Sequence, residues 1–383
     1  MSEAAEIIIT GGGIAGLAAA IALRQRGFEV QVLEQAPELR EIGAGLLLAP
    51  NACKVLDRLG ALSFLLGGHS VEVPRWELRN WRGKLLSALA IPGEGELALS
   101  TRRSDLQFAL LGCLPPGFVK LGCHVTAAKL LSDGVQLGLA DGRVMKARQV
   151  IVADGAHSAA RASLWHDSEP RYCGYVGWRA IVDHVPHGWE QGRVSESWGQ
   201  GRRFGIAPVG GGRTYWYATA NVPASRSHER IPLEQLRRDF AAWHAPVPEI
   251  LEATLPEALL QHPIADRRPL PHWQLEEKVV LIGDAAHPLT PNLGQGASMA
   301  LEDAWELAHQ WGRRDAMACY QKRRRWRVTR LWAMSGSLGK LIQWQSSAAC
   351  SLRDLQIRAT PDALSTAMMR GILRYEPAAA GLP

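Results

Sequence analysis

The chain has 383 residues, 47% of them apolar and 21% charged, with a formal net charge of +6 in which arginine far outnumbers lysine. That length suits two domains or one core with a sizeable insertion, and the ordinary globular composition excludes low-complexity and repeat architectures. The positive residues are spread along the chain; the densest run, QKRRRWR at 321–327, reads as a solvated helix face or an anion- or membrane-surface patch and not as a nucleic-acid footprint.

Six cysteines (Cys53, Cys113, Cys123, Cys173, Cys319, Cys350) show no CxxC pair and no metal spacing with histidine, so reduced thiols and no metal are expected. Ile7–Leu23 is uncharged, but Glu3 and Glu6 precede it where a signal peptide carries positive residues, and glycines interrupt it. No stretch is long and apolar enough to span a bilayer, so a cytoplasmic protein is expected.

In chain order, EIIIT reads as a short buried strand, and GGGIAG supplies Gly11, Gly13 and Gly16 in a G-x-G-x-x-G pattern around Ala15. Ile14, Leu17, Ala18 and Ile21 recur at helical spacing until Gly27, and FEVQVLEQ alternates as a second strand ending at Glu34 and Gln35. In such a β-α-β unit the glycines permit a tight turn, close approach of backbone to a pyrophosphate and close helix packing, while the acid accepts from ribose hydroxyls. The turn alone does not choose between NAD and FAD.

YCGYVGWRAIV (172–182), RRFGIAPV and RTYWYATANV read as strands, with Gly210–Gly212 as the hairpin turn between the last two. KVVLIGDAAH then reads as a buried strand ending at Gly283–Asp284, and GQGASMALEDAWELAHQW places Ala297, Ala300, Leu301, Ala304, Ala308 and Trp311 on one helical face. Gly294, Gln295, Gly296 and Ala297 thus open a helix N-terminus with free N–H groups and the positive end of its dipole. One long ligand satisfies both glycine turns. FAD has a pyrophosphate for the first, ribityl hydroxyls for Asp284, and a flavin edge that turns negative on reduction for the second.

GGGIAG…EQ, VADGAHSAAR (152–161) and GDAAHPLTPNLGQGASMALEDA (283–304) together resemble the three signatures of the class A flavoprotein monooxygenases, the para-hydroxybenzoate hydroxylase superfamily. The likeness is to the branch holding salicylate, hydroxynicotinate, quinolone and urate hydroxylases. It implies an α/β fold: a Rossmann-like FAD-binding domain (1–75, 101–170, 272–330), an inserted mainly antiparallel β-sheet substrate domain (76–100, 171–271) and C-terminal helices (331–383). By the same resemblance, Arg103 in RRSDLQ contacts the pyrophosphate side. GAGLLLAPN (43–51) runs past the flavin at Leu46 and Leu47, Val125 lies by the adenine, and Asp154 belongs to a DG motif tied to FAD and pyridine nucleotide. Ser158, Arg161 and His157 read as structural, with Arg161 also a candidate for the nicotinamide.

The implied reaction uses NADH or NADPH to reduce FAD; dioxygen then adds at flavin carbon 4a, and the hydroperoxide passes its distal oxygen to a small aromatic ring. Much of that chemistry is the cofactor's, and the protein must position the ring and exclude water. HPLTPN (287–292) is expected over that region, stiffened by Pro288 and Pro291. Trp178, Tyr215, Trp216 and Tyr217 are candidates for a dry wall. Some relatives carry a histidine in the loop matching GAGLLLAPN, where this chain has leucines. Tyr215 and Arg203 remain as catalytic candidates, with an already electron-rich heteroaromatic as the alternative to a base. Tyr215 and Tyr217 share one strand face, opposite Trp216, but which face looks inward is open. Epoxidation or tailoring of a polycyclic compound, and a reductase that never activates oxygen, are the competing functions. The tail reads as helices packed on the FAD domain or across a dimer, with a membrane-surface role as the alternative.

Overall fold

The computed structural model describes residues 5–38, 44–90, 93–189 and 192–378; Gly43 of the leucine-rich loop lies outside them. In chain order, the elements that build the site begin with β1 (Ala5–Thr10), α1 (Ile14–Gln25), β2 (Gln31–Leu33), β3 (Gly45–Leu48) and β4 (Val144–Val152). The middle of the chain supplies β5 (Arg171–Val182), β6 (Val194–Trp198), β7 (Arg202–Val209), β8 (Arg213–Asn221), α2 (Leu233–Phe240) and α3 (Val247–Glu252). β9 (Val279–Leu281), α4 (Gly296–Gln310), α5 (Ala316–Ile342), α6 (Ser347–Ala359) and α7 (Asp362–Leu373) complete it.

An eight-stranded sheet carries β9, β4, β1 and β2 side by side and parallel. Their register aligns Leu281 with Val152, Val152 with Thr10, and Thr10 with Leu33. Four strand ends therefore finish in one row, where an open α/β sheet places its ligand. The turns after Thr10, Leu33, Val152 and Leu281 are neighbours for that reason.

α1 is buried from Ile14 to Leu23. Its alanines and Gly16 let it lie tight between sheet and α4: a Cβ on Gly16 would come 2.0 Å from the carbonyl oxygen of Gly11. Gly11 itself has φ +98° and sits against Ala153 of the next turn. Only glycine satisfies both positions.

The inserted sheet has seven strands, ordered Leu260–Asp266, β5, β8, β7, β6, Trp76–Asn80 and Leu85–Leu89. Its pairings are antiparallel except that β6 runs parallel to Trp76–Asn80. The hairpin at Gly210–Gly212 joins β7 to β8 as its glycines predict. One face of this sheet packs on α2 and α3 through Phe204, Trp216, Leu233, Leu236, Phe240 and Ile250. The other looks toward β3 and the loop before α4.

α4 departs from the one-sided helix expected. It is buried nearly all round, including Glu302, Asp303, Glu306 and Gln310. α5 makes this possible: Arg324 pairs with Glu302 at 2.6 Å and with Asp303 at 2.7 Å, and Arg327 bonds both Glu302 oxygens. α5 runs unbroken through residue 330, so the expected start of a separate C-terminal segment falls inside one helix.

Candidate active site

A cavity of about 750 Å³ opens at the row of strand ends. Gly11, Gly13, Glu34, Gln35, Arg103, Val125 and Asp154 all line it, so residues more than a hundred positions apart in sequence share one wall. Glu34 is partly occupied: its carboxylate accepts from Gly12 N–H at 2.6 Å and Ala36 N–H at 2.8 Å, bracing both turns. Arg102, not Arg103, pairs with Asp105 (2.6 and 2.7 Å), leaving Arg103 exposed on the cavity wall.

Asp154 Oδ1 and Thr10 Oγ1 are buried at this wall without a protein partner. Burial pushes the Asp154 carboxyl up, and hydrogen bonds from Ser158 and backbone N–H groups only partly offset it. Buried polar atoms without partners call for a ligand. Together with the glycine backbone and Arg103, they fit the adenosine diphosphate half of FAD.

The second turn abuts the first. Gly283, at φ +57°, lies so close to Ala15 that a Cβ would meet the Ala15 methyl at 2.9 Å. Arg161 is 1% exposed and donates to the carbonyls of Ala285 and Ala286 at 2.8 and 3.0 Å, so its place is structural. His157 faces solvent beside Glu169. Asp284 has an exposed side chain. Desolvation by the surrounding protein, with Asp303, raises its pKa against His287 and Arg103, which lower it.

In α4 the Met299 N–H is the first to bond back, to Gln295 O at 2.9 Å, which leaves the N–H groups of Gly296, Ala297 and Ser298 without intrahelical acceptors. The Gln295 side chain is not free: it accepts from Asn51 at 2.9 Å, and Asn51 also donates to Glu302. The leucine-rich loop and the GQG turn are thereby stitched together. Leu47, Gly294 and Gln295 border a small apolar pocket with Trp76, Met369 and Leu373. Leu46 packs against the main core from the same strand.

HPLTPN is latched on two sides. Thr290 bonds Ser335 of α5 at 2.9 Å, and Asn292 reaches both the Ser335 carbonyl at 2.9 Å and the Tyr175 hydroxyl of β5. Behind it, His287 and Asp303 form a buried pair at 2.5 Å. Pro288 is buried and its carbonyl accepts from Arg267 N–H, so it holds the loop and presents no free group.

The inserted sheet settles which face looks inward. Gly45 of β3 packs on the Tyr215 ring so closely that a Cβ would lie 2.3 Å from Tyr Cγ. Tyr175, Arg203, Tyr215 and Tyr217 share that face by register. Trp178 and Trp216 correct the expected wall. They lie on the opposite face, 2% and 0% exposed, their indole N–H groups bonded to Gln261 and Thr254. Alternation allows no other outcome once the tyrosines face β3.

One residue escaped the reading of the sequence. Glu196 of β6 is 4% exposed, accepts from the Trp198 indole and the Tyr217 hydroxyl, and lies 3.5 Å from Arg203. Arg203 also stacks over the Tyr217 ring at 5.6 Å and keeps a buried, unpartnered Nε–H. Burial disfavours its charge, yet Glu196 holds the guanidinium protonated. Burial likewise lifts both phenols, Tyr217 well above its ordinary value. The only advance signal was the alternation of VSESW, which cannot distinguish a surface acid from a buried one.

Family models for an FAD-binding domain and for an NAD(P)-binding Rossmann-like domain match residues 129–334 and 9–40. Aurachin C monooxygenase/isomerase of Stigmatella aurantiaca is 35% identical, over 98% of this chain and 100% of that protein. The chain belongs to the class A flavoprotein monooxygenases. A 3-amino-4-hydroxybenzoate 2-monooxygenase of Streptomyces cremeus is 34% identical over 95% of this chain and 94% of that protein. HpxO of Klebsiella pneumoniae, solved with FAD and uric acid, superimposes with a TM-score of 0.86 at 27% identity, covering 96% of each chain. This monooxygenase is an FAD-dependent enzyme of the aromatic hydroxylases, with NAD(P)H and dioxygen as co-substrates. Among its described residues no helix is long and apolar enough to cross a membrane.

Proposed function

We propose that this enzyme hydroxylates a small, electron-rich heteroaromatic of the hydroxyquinoline or hydroxypyridine kind. The observation carrying this is the inward face of the inserted sheet. It holds a buried cation, Arg203, beside tyrosines that stay protonated at neutral pH, with the one buried carboxylate described there, Glu196, engaged by Arg203, the Trp198 indole and the Tyr217 hydroxyl. Such a set polarises a ring oxygen and does not strip a proton from a phenol. Two relatives, each 32% identical, are named for heteroaromatic rings, a 2-heptyl-3-hydroxy-4(1H)-quinolone synthase and a 6-hydroxynicotinate 3-monooxygenase, which supports the heteroaromatic class.

FAD would lie with its adenosine end in the cavity at Gly11, Gly13, Glu34, Gln35, Arg103, Val125 and Asp154. Ala15 and Gly16 form the helix start behind it, Asp284 faces the ribityl chain, and Leu46, Leu47 and Gly294–Ala297 surround the ring. When bound, FAD takes hydride from NAD(P)H and activates dioxygen for insertion of one oxygen atom. The protein's own part is threefold. The N–H groups opening α4 stabilise negative charge, Arg203 and Tyr215 orient the substrate oxygen, and the latched HPLTPN loop keeps water out. We further assign the eight-stranded sheet to an FAD domain and the seven-stranded sheet to a substrate domain. We place the enzyme in the cytoplasm as a monomer or homodimer.

A panel of hydroxyquinolines, hydroxypyridines and simple phenols, scored for stimulated NAD(P)H oxidation and for product heavier by one oxygen, tests the reading. Stimulation by phenols alone would overturn the substrate class; turnover without oxygen would overturn the reaction.

A further inference from the structure

The basic run QKRRRWR plays no part in the site, and α5 shows where it goes. α5 is 27 residues long, about 40 Å at helical rise. Its inner face carries Arg324 and Arg327 into the buried pairs with α4. Neighbouring residues turn outward: Lys322, Arg325, Trp326 and Arg330 are exposed, and Trp326 is 70% exposed. Five turns further along the same face comes Lys340, and just past the helix end follows Trp344 at 39% exposure. Lys322 and Lys340 thus share one stripe about 27 Å apart along the axis, each followed four residues later by an exposed tryptophan, Trp326 on the helix and Trp344 just past its end.

None of Lys322, Arg325, Arg330 and Lys340 has an acidic partner among the described contacts. The acids nearest the start of the helix are engaged. Glu277 accepts from the N–H groups of Met317 and Ala318, Glu276 bonds Lys278, and Asp315 lies beside Arg313. Arg330 instead stacks over the Trp326 ring at 5.3 Å, holding the indole outward.

We propose that this stripe docks on the headgroup layer of an anionic phospholipid bilayer. The two tryptophans would sit at the interface and the four cations against lipid phosphates. Exposed indoles flanked by cations suit that layer, where an aromatic ring has an apolar body and a polar N–H to place. A second copy of the chain fits worse, since a two-fold contact would set like charges against each other. A cavity of about 850 Å³ opens along the same stripe, lined by Gly336, Lys340 and Trp344 on α5's side and Tyr175 and Asn292 opposite. A docked enzyme would present that opening to the membrane, a route for a membrane-partitioning hydroxyquinoline toward the latched loop.

The test uses the FAD-loaded full chain, co-sedimented with vesicles of phosphatidylcholine alone or mixed with phosphatidylglycerol. Binding to the mixed vesicles only, weakened by added salt, is expected. Each cation at such a surface contributes roughly five-fold in affinity, so K322E/R325E should bind more than ten-fold less tightly, and W326A several-fold less. Both variants should keep wild-type flavin content and basal NAD(P)H oxidation. Three results would overturn the proposal: no sedimentation with phosphatidylglycerol, equal sedimentation with phosphatidylcholine alone, or undiminished binding by both variants. So would a dimer that W326A dissolves, or capture of homopolymeric RNA without capture of vesicles.

Discussion

Removing the carboxylate of Glu196 should destabilise the inserted sheet by several kcal/mol. Arg203 is 1% exposed and among the described residues has its one carboxylate contact at Glu196, so Glu196→Ala strands a buried cation. Breaking such a pair from one side costs about 3–5 kcal/mol. The Trp198 indole and Tyr217 hydroxyl lose their acceptor as well, although the Tyr217 ring still faces the guanidinium. Against a total stability of about 5–15 kcal/mol, that is a large fraction. Glu196→Gln keeps shape and one acceptor oxygen and should lose roughly half as much. Replacing both partners, as E196L/R203M, should recover most of the stability but not turnover, because the charge is then gone from both sides. Urea denaturation of flavin-stripped protein reads these differences as midpoint shifts at constant slope. If Glu196→Ala unfolds within about 0.5 kcal/mol of wild type, the buried network is not what holds Arg203.

Three further expectations come from other parts of the site. Gly45→Ala should cost about 1–3 kcal/mol by overpacking, because its Cβ would lie 2.3 Å from Tyr215 Cγ, and the loss should shrink in a Tyr215→Gly background; thermal melts of the four proteins check it. Asp284→Ala should leave the stripped protein as stable as wild type but weaken FAD at least about ten-fold, seen as flavin lost on gel filtration; full retention would count against its assignment. Asp303 has its pKa brought to about 2 by His287 and Arg324, which outweigh burial, against an ordinary 3.8. A depressed carboxylate binds fewer protons folded than unfolded, so its roughly 2 kcal/mol is fully present above about pH 4 and lost as pH falls through 2. An Asp303→Asn variant should show a flatter acid limb in stability against pH, and an unchanged limb would remove Asp303 from that role.

Much of this enzyme was legible before any fold was drawn. Gly11 and Gly16 announce backbone approaching backbone, since no other residue tolerates a backbone neighbour inside 3 Å of its Cβ. The strand patterns of 172–182, 202–209 and 213–221 and the glycine hairpin between the last two are local properties, and they appeared where expected. The cofactor, FAD, was legible because the sequence carries two short glycine turns, each with its own chemistry.

What tertiary structure alone decided is which side of each element is the inside. Alternation set Tyr215 and Tyr217 against Trp216, but only packing on β3 and on α2 assigned the tyrosines to the face toward β3 and the tryptophan to the outer core. Glu302 and Asp303 look like surface acids until Arg324 and Arg327 arrive from α5, and Glu196 until Arg203 arrives across the sheet. A periodic pattern records how a segment folds on itself. The worth of a charge or an aromatic face depends on the partner that burial brings to it, and that partner is set by topology.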